Sequence, residues 1–245
     1  MIVSSIVETK HVPVEKEYNK SEIAESVHML WDPLIDEQRE LFVENISILH
    51  FTHEDILYRE GTAPQHLYYL LHGKVTMRRE GIGGQMRIVR IVEPGSIFGY
   101  SAALEGCNHK LTATVSSDTL ILCIPINLMF YFIMENSDFA MLFLKDLSVL
   151  LSHSVDKTIS LTQKHVRGRL AETLLDMKHK YGITEDGHTL PIYFSREEIA
   201  QMSNMTTSNA IRTLSAFVQE GLISFEDRRI KYLDTEALQL ISDRG

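Results

Sequence analysis

The chain has 245 residues, 44% of them apolar, which is enough for two ordinary domains with cores of their own. A net charge of -9 and an isoelectric point near 5.6 exclude a generally basic nucleic-acid-binding protein, so any DNA contact requires a local patch. The two cysteines, Cys107 and Cys123, are too few for a disulfide framework and lack a CxxC spacing, so we expect a cytoplasmic protein.

Residues 1–30 form a mixed, polar N-terminal extension with a predicted helix over 21–30, and an acidic helix follows up to Asn45. No signal peptide is visible. The longest apolar run, residues 120–133, contains Pro125 and Asn127 and is too short to cross a bilayer. We therefore expect a soluble protein without a membrane partner.

Short β-rich runs separated by turns fill residues 46–124 and predict a β-roll or barrel, within a sensing domain that covers residues 31–137. The clearest runs are residues 55–58, 66–71, 74–79 and 86–92. The glycine cluster at residues 81–84 lies between two strands and has no helix after it. We interpret it as a hairpin turn rather than a phosphate-binding loop.

From residue 138 the apolar side chains adopt a helical spacing, which predicts a dimerisation helix over residues 138–165. The predicted seam consists of Leu144, Leu147, Leu151, Ser154, Thr158 and Leu161. A second apolar face, formed by Phe139, Phe143 and Leu150, favours packing against the roll as well. We expect a homodimer.

Residues 166–245 are predicted to form a third part, which begins with an amphipathic helix over 166–181 after a break at Gly168. Ser195 and Glu198 have the spacing of a capping box, Asn204 suits a turn in the left-handed region, and Thr206 is placed to cap a second helix. The pattern predicts two short helices joined by a tight turn. The expected buried face of the second helix consists of Ala210, Ile211, Leu214 and Phe217.

The second helix of this pair carries small polar side chains that suit the major groove of DNA. A predicted hairpin over residues 221–225 and 230–233 lies beside it as a wing. The predicted DNA-contact set consists of Ser195, Thr206, Thr207, Ser208, Asn209, Arg212, Arg228 and Arg229. Residues 166–245 carry ten Lys or Arg against twelve Asp or Glu, so binding requires the cations to gather on one side. Arg167, Arg169 and Lys231 are further candidates for such a patch.

Four segments resemble the CRP/FNR family of bacterial transcription regulators, named after the cyclic-AMP receptor protein and FNR. They are residues 93–99, 166–175, 195–214 and 220–223. The resemblance implies an α+β protein with an N-terminal β-roll of the cyclic-nucleotide-binding type (a double-stranded jelly roll), a long dimerisation helix and a C-terminal winged helix-turn-helix. It further implies a non-enzymatic dimer that binds a palindromic operator in double-stranded DNA under the control of an effector in the roll. RNA polymerase stays open as a further partner.

The resemblance places the effector pocket at Phe98, Gly99, Tyr100, Ser101, Lys110, Thr112 and Ala113, with Ser154 contributed by the long helix. Cyclic-nucleotide binders of the family carry a Glu after Phe-Gly and an Arg-Ser or Arg-Thr pair further along. Here Tyr100 follows Gly99, and Lys110 with Thr112 falls near the position of the pair. The loss of a bidentate guanidinium disfavours cyclic AMP.

Other effectors stay open. The iron–sulfur cluster of the FNR branch needs several N-terminal thiolates, and no cysteine precedes Cys107, which excludes it. Haem is a hypothesis, with His66, His72 and Met77 as candidate axial ligands beside the pocket. In DNA recognition, Ser208 stands where well-known members have Glu, whereas Arg212 keeps their final Arg, so the preferred base pair at one position should change.

Two other classes of function compete with the regulator. A cupin-like metal oxygenase needs a His-x-His pair, which His50 and His53 do not form, and His66 and His72 supply no evident complete ligand set. We therefore expect no catalytic residues and no metal site. The third hypothesis is a sensor whose winged domain binds protein instead of DNA. The exposed polar side chains predicted on the second helix, Thr207, Ser208 and Arg212, argue against it.

Overall fold

The computed structural model describes residues 18–81 and 86–245, so most of the predicted 81–84 turn and the first seventeen residues of the extension lie outside the described residues. The chain divides into two compact units, one ending at Val149 and the other beginning at Leu150. Among the described residues, no helix combines the length and the apolar character that a bilayer span requires.

Three short helices precede the strands: α1 (Lys20–Ser26), α2 (His28–Trp31) and α3 (Asp36–Asn45). The prediction of one helix over 21–30 is wrong, because Val27 leaves helical geometry with a ψ of 62°. The side chain of Val27 is buried beside Ala24 and Leu30 in the core of the first unit. Packing of these apolar residues therefore overrides the continuous helical pattern.

The predicted β-rich stretch forms two four-stranded antiparallel sheets with the orders β1-β8-β3-β6 and β2-β7-β4-β5. The strands are β1 (Ser47–Phe51), β2 (Ile56–Tyr58), β3 (His66–His72), β4 (Val75–Glu80), β5 (Met86–Val92), β6 (Ile97–Phe98), β7 (Thr112–Val115) and β8 (Thr119–Pro125), and α4 (Ser101–Glu105) follows β6. Residues of both sheets, including Leu49, Met77 and Phe98, form an inner core. The arrangement is the predicted roll, with alternate side chains pointing inward.

A second core of the first unit joins the β1-β8-β3-β6 sheet to helices, among them α5 (Ile126–Glu135) and α6 (Ser137–Gln163). Asn136 separates these two helices, and its side-chain oxygen accepts hydrogen bonds from the backbone N–H groups of Asp138 and Phe139. Phe139 and Phe143 are buried in this core, as the second apolar face of the long helix predicted. The N-terminal part of α6 is therefore anchored to the roll.

The second unit contains α7 (Val166–Tyr181), α8 (Arg196–Met202), α9 (Thr207–Gln219), a hairpin of β9 (Ile223–Glu226) and β10 (Arg229–Tyr232), and α10 (Thr235–Arg244). The predicted helix break at Gly168 is wrong, because α6 ends at Gln163 and Gly168 lies inside α7. A Cβ atom at Gly168 would come within 2.5 Å of the backbone of Gly245. This glycine therefore serves close packing against the end of α10.

Candidate DNA-binding surface and sensor site

The helix pair α8–α9 has the local chemistry that the sequence predicts. Ser195 Oγ accepts the Glu198 N–H at 3.1 Å, and a Glu198 carboxylate oxygen accepts the Ser195 N–H at 2.8 Å, which completes a capping box. Asn204 has a φ of 50° in the turn between the helices. Thr206 Oγ1 then accepts the Asn209 N–H at the start of α9. These bonds fix where α9 begins.

One face of α9 is exposed and polar. Thr207, Ser208 and Arg212 are exposed, and Arg212 Nη2 donates to Asn209 Oδ1 at 2.9 Å. Ala210, Leu214 and Phe217 are buried as expected. Ile211 is 47% exposed, so its assignment to the buried face is wrong. With helical spacing, Ile211 follows Thr207 and Ser208 on the exposed side, which adds an apolar group to this face.

The turn between α8 and α9 is held by Arg169 of α7. Its guanidinium donates to the carbonyl oxygens of Ser203 at 3.2 Å and Asn204 at 3.3 Å, and also to that of Lys164 at 3.1 Å. From its place in the sequence, Arg169 is a candidate cation of the DNA-binding patch. Its three backbone bonds instead make it a positioning residue for the turn.

Two other candidate cations have acidic partners within the unit. Arg167 forms a bidentate pair with Glu220, and Lys231 donates to Glu226 at 3.0 Å. Exposed ion pairs of this kind contribute little to stability, so the gathering of these cations into one DNA-facing patch stays a prediction.

The β9–β10 hairpin presents the remaining cations at its tip. Asp227 and Arg228 have φ values of 47° and 67°, the left-handed pair that a tight two-residue hairpin requires. Arg228 is exposed, and Arg229 is half-buried with its guanidinium 4.0 Å from Asp227. The Arg196 guanidinium lies 3.6 Å from the centre of the Phe225 ring, which joins the start of α8 to the hairpin.

In the first unit, the segment after β6 turns toward α6. Gly99 has a φ of 82°, and a Cβ atom there would lie 2.5 Å from the Tyr68 ring, so only glycine fits. Tyr100 is 1% exposed, donates its hydroxyl hydrogen bond to Asp146 of α6, and meets the Phe143 ring edge-on at 5.0 Å. Burial raises the pKa of Tyr100 far above its ordinary value, and the hydrogen bond to Asp146 raises it further by a smaller amount. Tyr100 thus connects the predicted pocket segment to the long helix.

The remaining residues of the predicted effector pocket lie in different environments. Lys110 pairs with Glu105 at the surface, and this contact raises the pKa of Lys110 and lowers that of Glu105. Thr112 Oγ1 accepts the Glu60 N–H at 3.0 Å, and Ala113 is buried in the inner core. Phe98 is also buried there, Ser101 is exposed at the start of α4, and Ser154 is exposed on α6.

The candidate haem ligands lie in different environments within the roll. Among the described residues, no three His, Cys, Asp or Glu side chains approach closely enough to hold a metal ion. His66 is half-buried beside the Tyr68 ring, and its Nδ1 atom is buried without a hydrogen-bond partner. His72 is exposed, and Met77 is buried in the inner core.

His109 forms a buried ring contact in the roll that the sequence does not indicate. Its ring lies flat on Tyr58, with 3.8 Å between centroids and 13° between planes, and it is 5% exposed. Burial lowers its pKa to about 4, so the ring is neutral at physiological pH. A lone histidine between Asn108 and Lys110 carries no signal of this contact, since Tyr58 lies about fifty positions earlier in the chain.

This stack predicts an acid-sensitive roll. Because the pKa of His109 in the fold lies below its ordinary value of 6.5, the stability from neutral His109 is present above that pH and is lost as the pH falls toward 4. His109→Phe keeps the ring and removes the titrating group. Between pH 6.5 and 5, we expect the wild type to lose about 1.5 kcal/mol more than this variant in urea titrations. A parallel pH dependence in the two proteins would contradict the assignment, and exposed His72→Phe is the control.

The predicted seam of α6 lies on its surface. Leu144 is 60% exposed and Leu151 is 67% exposed, Leu147 and Leu161 are exposed to a smaller extent, and Ser154 and Thr158 are exposed between them. The structure adds further apolar groups to this surface, namely Met141, Val155 and Ile159. An exposed apolar stripe of this length is typical of a helix that packs against a partner.

Comparison with known proteins matches both units to known families. Residues 48–136 match the cyclic nucleotide-binding domain family, and residues 168–241 match the Crp-like helix-turn-helix domain family. The CRP-like cAMP-activated global transcriptional regulator of Mycobacterium tuberculosis is 23% identical over 80% of this chain and 88% of its own length. A global nitrogen regulator of Nostoc is 24% identical over 74% of this chain and 82% of its own length.

Solved structures show the same fold. FixK2 from Bradyrhizobium japonicum gives a TM-score of 0.73 at 20% identity, covering 80% of this chain and 96% of its own. A CooA mutant from Carboxydothermus hydrogenoformans gives 0.70 at 22% identity, covering 94% and 98%. The two matched domains follow one another along the chain, and α6 lies between them outside both matches. The chain therefore belongs to the CRP/FNR family of DNA-binding transcription regulators.

Proposed function

We propose that the protein is a cytoplasmic homodimer that binds a palindromic DNA operator under the control of an effector in the roll other than cyclic AMP. The exposed face of α9 carries this proposal, because Thr207, Ser208 and Arg212 lie together on it without serving the core. A helix of this kind fits the major groove, where side chains reach base edges.

The proposed DNA contacts are of two kinds, base contacts from α9 and phosphate contacts from the hairpin. Arg212, oriented by its bond to Asn209, suits a bidentate contact with guanine, and Ser208 suits a base edge that either donates or accepts. Ile211 offers an apolar contact to a thymine methyl group. Arg228 at the hairpin tip and Arg229 beside it suit backbone phosphates. Ser195 and Thr206 contribute mainly by capping the helices that present these groups.

Dimerisation through α6 gives the operator its symmetry. A dimer with a twofold axis presents two copies of α9 to two half-sites, and the apolar stripe that includes Leu144 and Leu151 supplies the contact. Selection of bound sequences from a random DNA library tests both points. We expect an inverted repeat, and a set of sequences without symmetry would contradict the dimer.

Tyr100 is proposed as the positioning residue that transmits the state of the roll to α6. Its ring packs on Phe143 of α6. Its hydroxyl bonds to Asp146, which is next in the chain to the seam residue Leu147. An effector that shifts the segment after β6 then shifts the population of α6 arrangements.

Tyr100→Phe tests this connection. The change removes one hydrogen bond at a partly buried carboxylate, so we expect about 1–2 kcal/mol lower stability in urea titrations. We also expect several-fold altered operator affinity without added effector, measured by gel shift. Tyr69→Phe is a matched control, because Tyr69 is half-buried in the same roll and has no hydrogen bond to α6 among the described contacts. Equal effects of the two substitutions on operator affinity would rule out a special role for Tyr100.

Cyclic AMP and haem are the competing effectors. The relative from Mycobacterium tuberculosis is cAMP-activated, but this chain has Tyr100 after Gly99, and its Lys110 is paired with Glu105. Haem is favoured only by His66, whose Nδ1 atom has no hydrogen-bond partner. A Soret band shift on adding haem to the purified protein would support haem, and a rise in operator affinity with cyclic AMP would support the nucleotide.

A further inference from the structure

The joint between α6 and α7 has little apolar packing to hold it. Only Lys164 and His165 separate the end of α6 from the start of α7. Ser160 is the one buried residue in the described stretch 150–163, and the apolar side chains of that stretch are at least partly exposed. The two helices make little backbone contact with each other, whereas α7 packs along α10. Polar contacts therefore decide the angle at which α6 meets the winged helix-turn-helix.

Glu172 of α7 makes the main side-chain contacts across this joint. Ser160 Oγ donates a hydrogen bond to one oxygen of the Glu172 carboxylate, and Lys164 Nζ donates to the other at 2.7 Å. Lys164 continues the helical bonding of α6, because its backbone N–H donates to the Ser160 carbonyl oxygen at 3.0 Å. Ser160 is buried and the Lys164–Glu172 pair is half-buried, so solvent screens these bonds only in part. Both carboxylate oxygens of Glu172 are therefore held by donors at the end of α6.

Lys164 extends this contact to the rest of the winged helix-turn-helix. Its Nζ also donates to Ser242 Oγ of α10 at 3.0 Å, and Ser242 is buried. Its carbonyl oxygen accepts a hydrogen bond from Arg169, the residue that holds the turn before α9. The end of α6 is thus bonded to α7, to α10 and, through Arg169, to the turn that precedes α9.

We propose that Glu172 is a positioning residue that fixes the angle between α6 and the winged helix-turn-helix, and so sets the distance between operator half-sites that the dimer accepts. This role rests on the proposed dimerisation through α6. With one α6 from each subunit beside the twofold axis, the angle at the joint determines where each copy of α9 lies. Without the bonds from Ser160 and Lys164 to Glu172, further angles become populated. Operators with other spacings are then bound better relative to the preferred one.

The test is a gel-shift titration of the full-length protein on the operator selected from the random DNA library, and on the same operator with one or two base pairs inserted between its half-sites. Each inserted pair moves one half-site by about 3.4 Å along the duplex and about 35° around it. We expect the wild type to prefer the selected operator, and Glu172→Ala to reduce that preference about tenfold. Affinity for DNA with a single half-site should change by less than about twofold, because the spacing of the two α9 helices does not enter.

Glu172→Gln and Ser160→Ala grade the effect and keep the test valid if Glu172→Ala does not fold. Glu172→Gln keeps an acceptor for Ser160 and removes the charge that pairs with Lys164, and Ser160→Ala removes a single donor. Each should reduce the spacing preference about threefold. A loss of stability alone weakens binding to all of these DNAs by the same factor and leaves the preference unchanged. Glu185→Ala is the matched control, because Glu185 is an exposed glutamate between α7 and α8, and its loss should leave the preference at the wild-type value.

Two results would overturn the role of Glu172. One is a spacing preference that stays at the wild-type value in the Glu172 and Ser160 variants, and the other is an equal loss of preference in Glu185→Ala. The wild type separates this inference from the proposed function. A wild-type protein that binds all spacings equally would contradict the proposed dimer itself. A wild-type preference that the Glu172 variants retain would leave the dimer standing and remove only the role of Glu172.

Discussion

Replacing Leu144 and Leu151 together by glutamate is expected to convert the protein to a 28.0 kDa monomer and to weaken operator binding about 100-fold or more. Both leucines are more than half exposed on α6, and in a dimer each would bury its side chain against the partner helix. Four like charges in that interface would repel one another without compensating partners. Sedimentation velocity reports the mass, and gel shift reports the affinity.

Val149→Glu is the matched control for this double substitution. Val149 is 54% exposed on the same helix, but helical spacing places it on the side away from Leu144 and Leu151. We expect this variant to remain dimeric and to bind the operator like the wild type. A dimer that survives the double substitution, or a Val149 variant that dissociates equally well, would show that α6 joins its partner through another surface.

Arg212→Ala is expected to weaken specific operator binding by about 1 to 3 kcal/mol, the loss that follows when a bidentate guanine contact is removed. The Arg212 guanidinium already donates a hydrogen bond to Asn209 Oδ1 on the exposed face of α9, so little conformational freedom is lost on binding. The same substitution should relax discrimination at one base pair of each half-site. Competitive gel shifts with operator and with single-base variants of it measure both effects.

Arg244→Ala provides the control for charge alone. Arg244 is an exposed arginine in the last turn of α10, within the same unit as α9. Its loss should change operator affinity only slightly and leave base discrimination intact. If the Arg212 variant loses affinity equally for operator and for unrelated DNA, then Arg212 contacts phosphate rather than a base.

Local sequence signals predicted the structure well wherever one short segment decides the conformation. The capping box of Ser195 and Glu198, the left-handed Asn204 and the cap by Thr206 depend on residues within three positions of each other. The strand over residues 86–92 and the hairpin wing likewise follow from alternation and turn residues.

Predictions that depended on contacts between distant segments fared less well. The break of α1 at Val27 comes from burial in the core, and Gly168 lies within a helix because Gly245 packs closely against it. Ile211 seemed a core residue by hydrophobicity, although its position on α9 places it on the exposed side. Hydrophobicity alone does not tell which of two adjacent helix positions faces the core.

The candidate sensor site shows the same limit. The sequence placed Tyr100 and Lys110 in the pocket segment by resemblance, but it gave no sign that Tyr100 bonds to Asp146 or that Lys110 pairs with Glu105. The stack of His109 on Tyr58 joins a loop residue to a strand about fifty positions earlier in the chain. That contact follows from strand pairing across the whole roll, which no single segment encodes.

Hydroxyl-radical footprinting tests the proposed dimer, with its two copies of α9, most directly. It uses the wild-type protein on the operator selected from the random DNA library. We predict two protected segments related by a twofold axis, with centres about one helical turn or a multiple of it apart. Substituting Arg212 should weaken both segments together. One protected segment, or two segments of unrelated sequence, would contradict a symmetric dimer that presents α9 to successive major grooves.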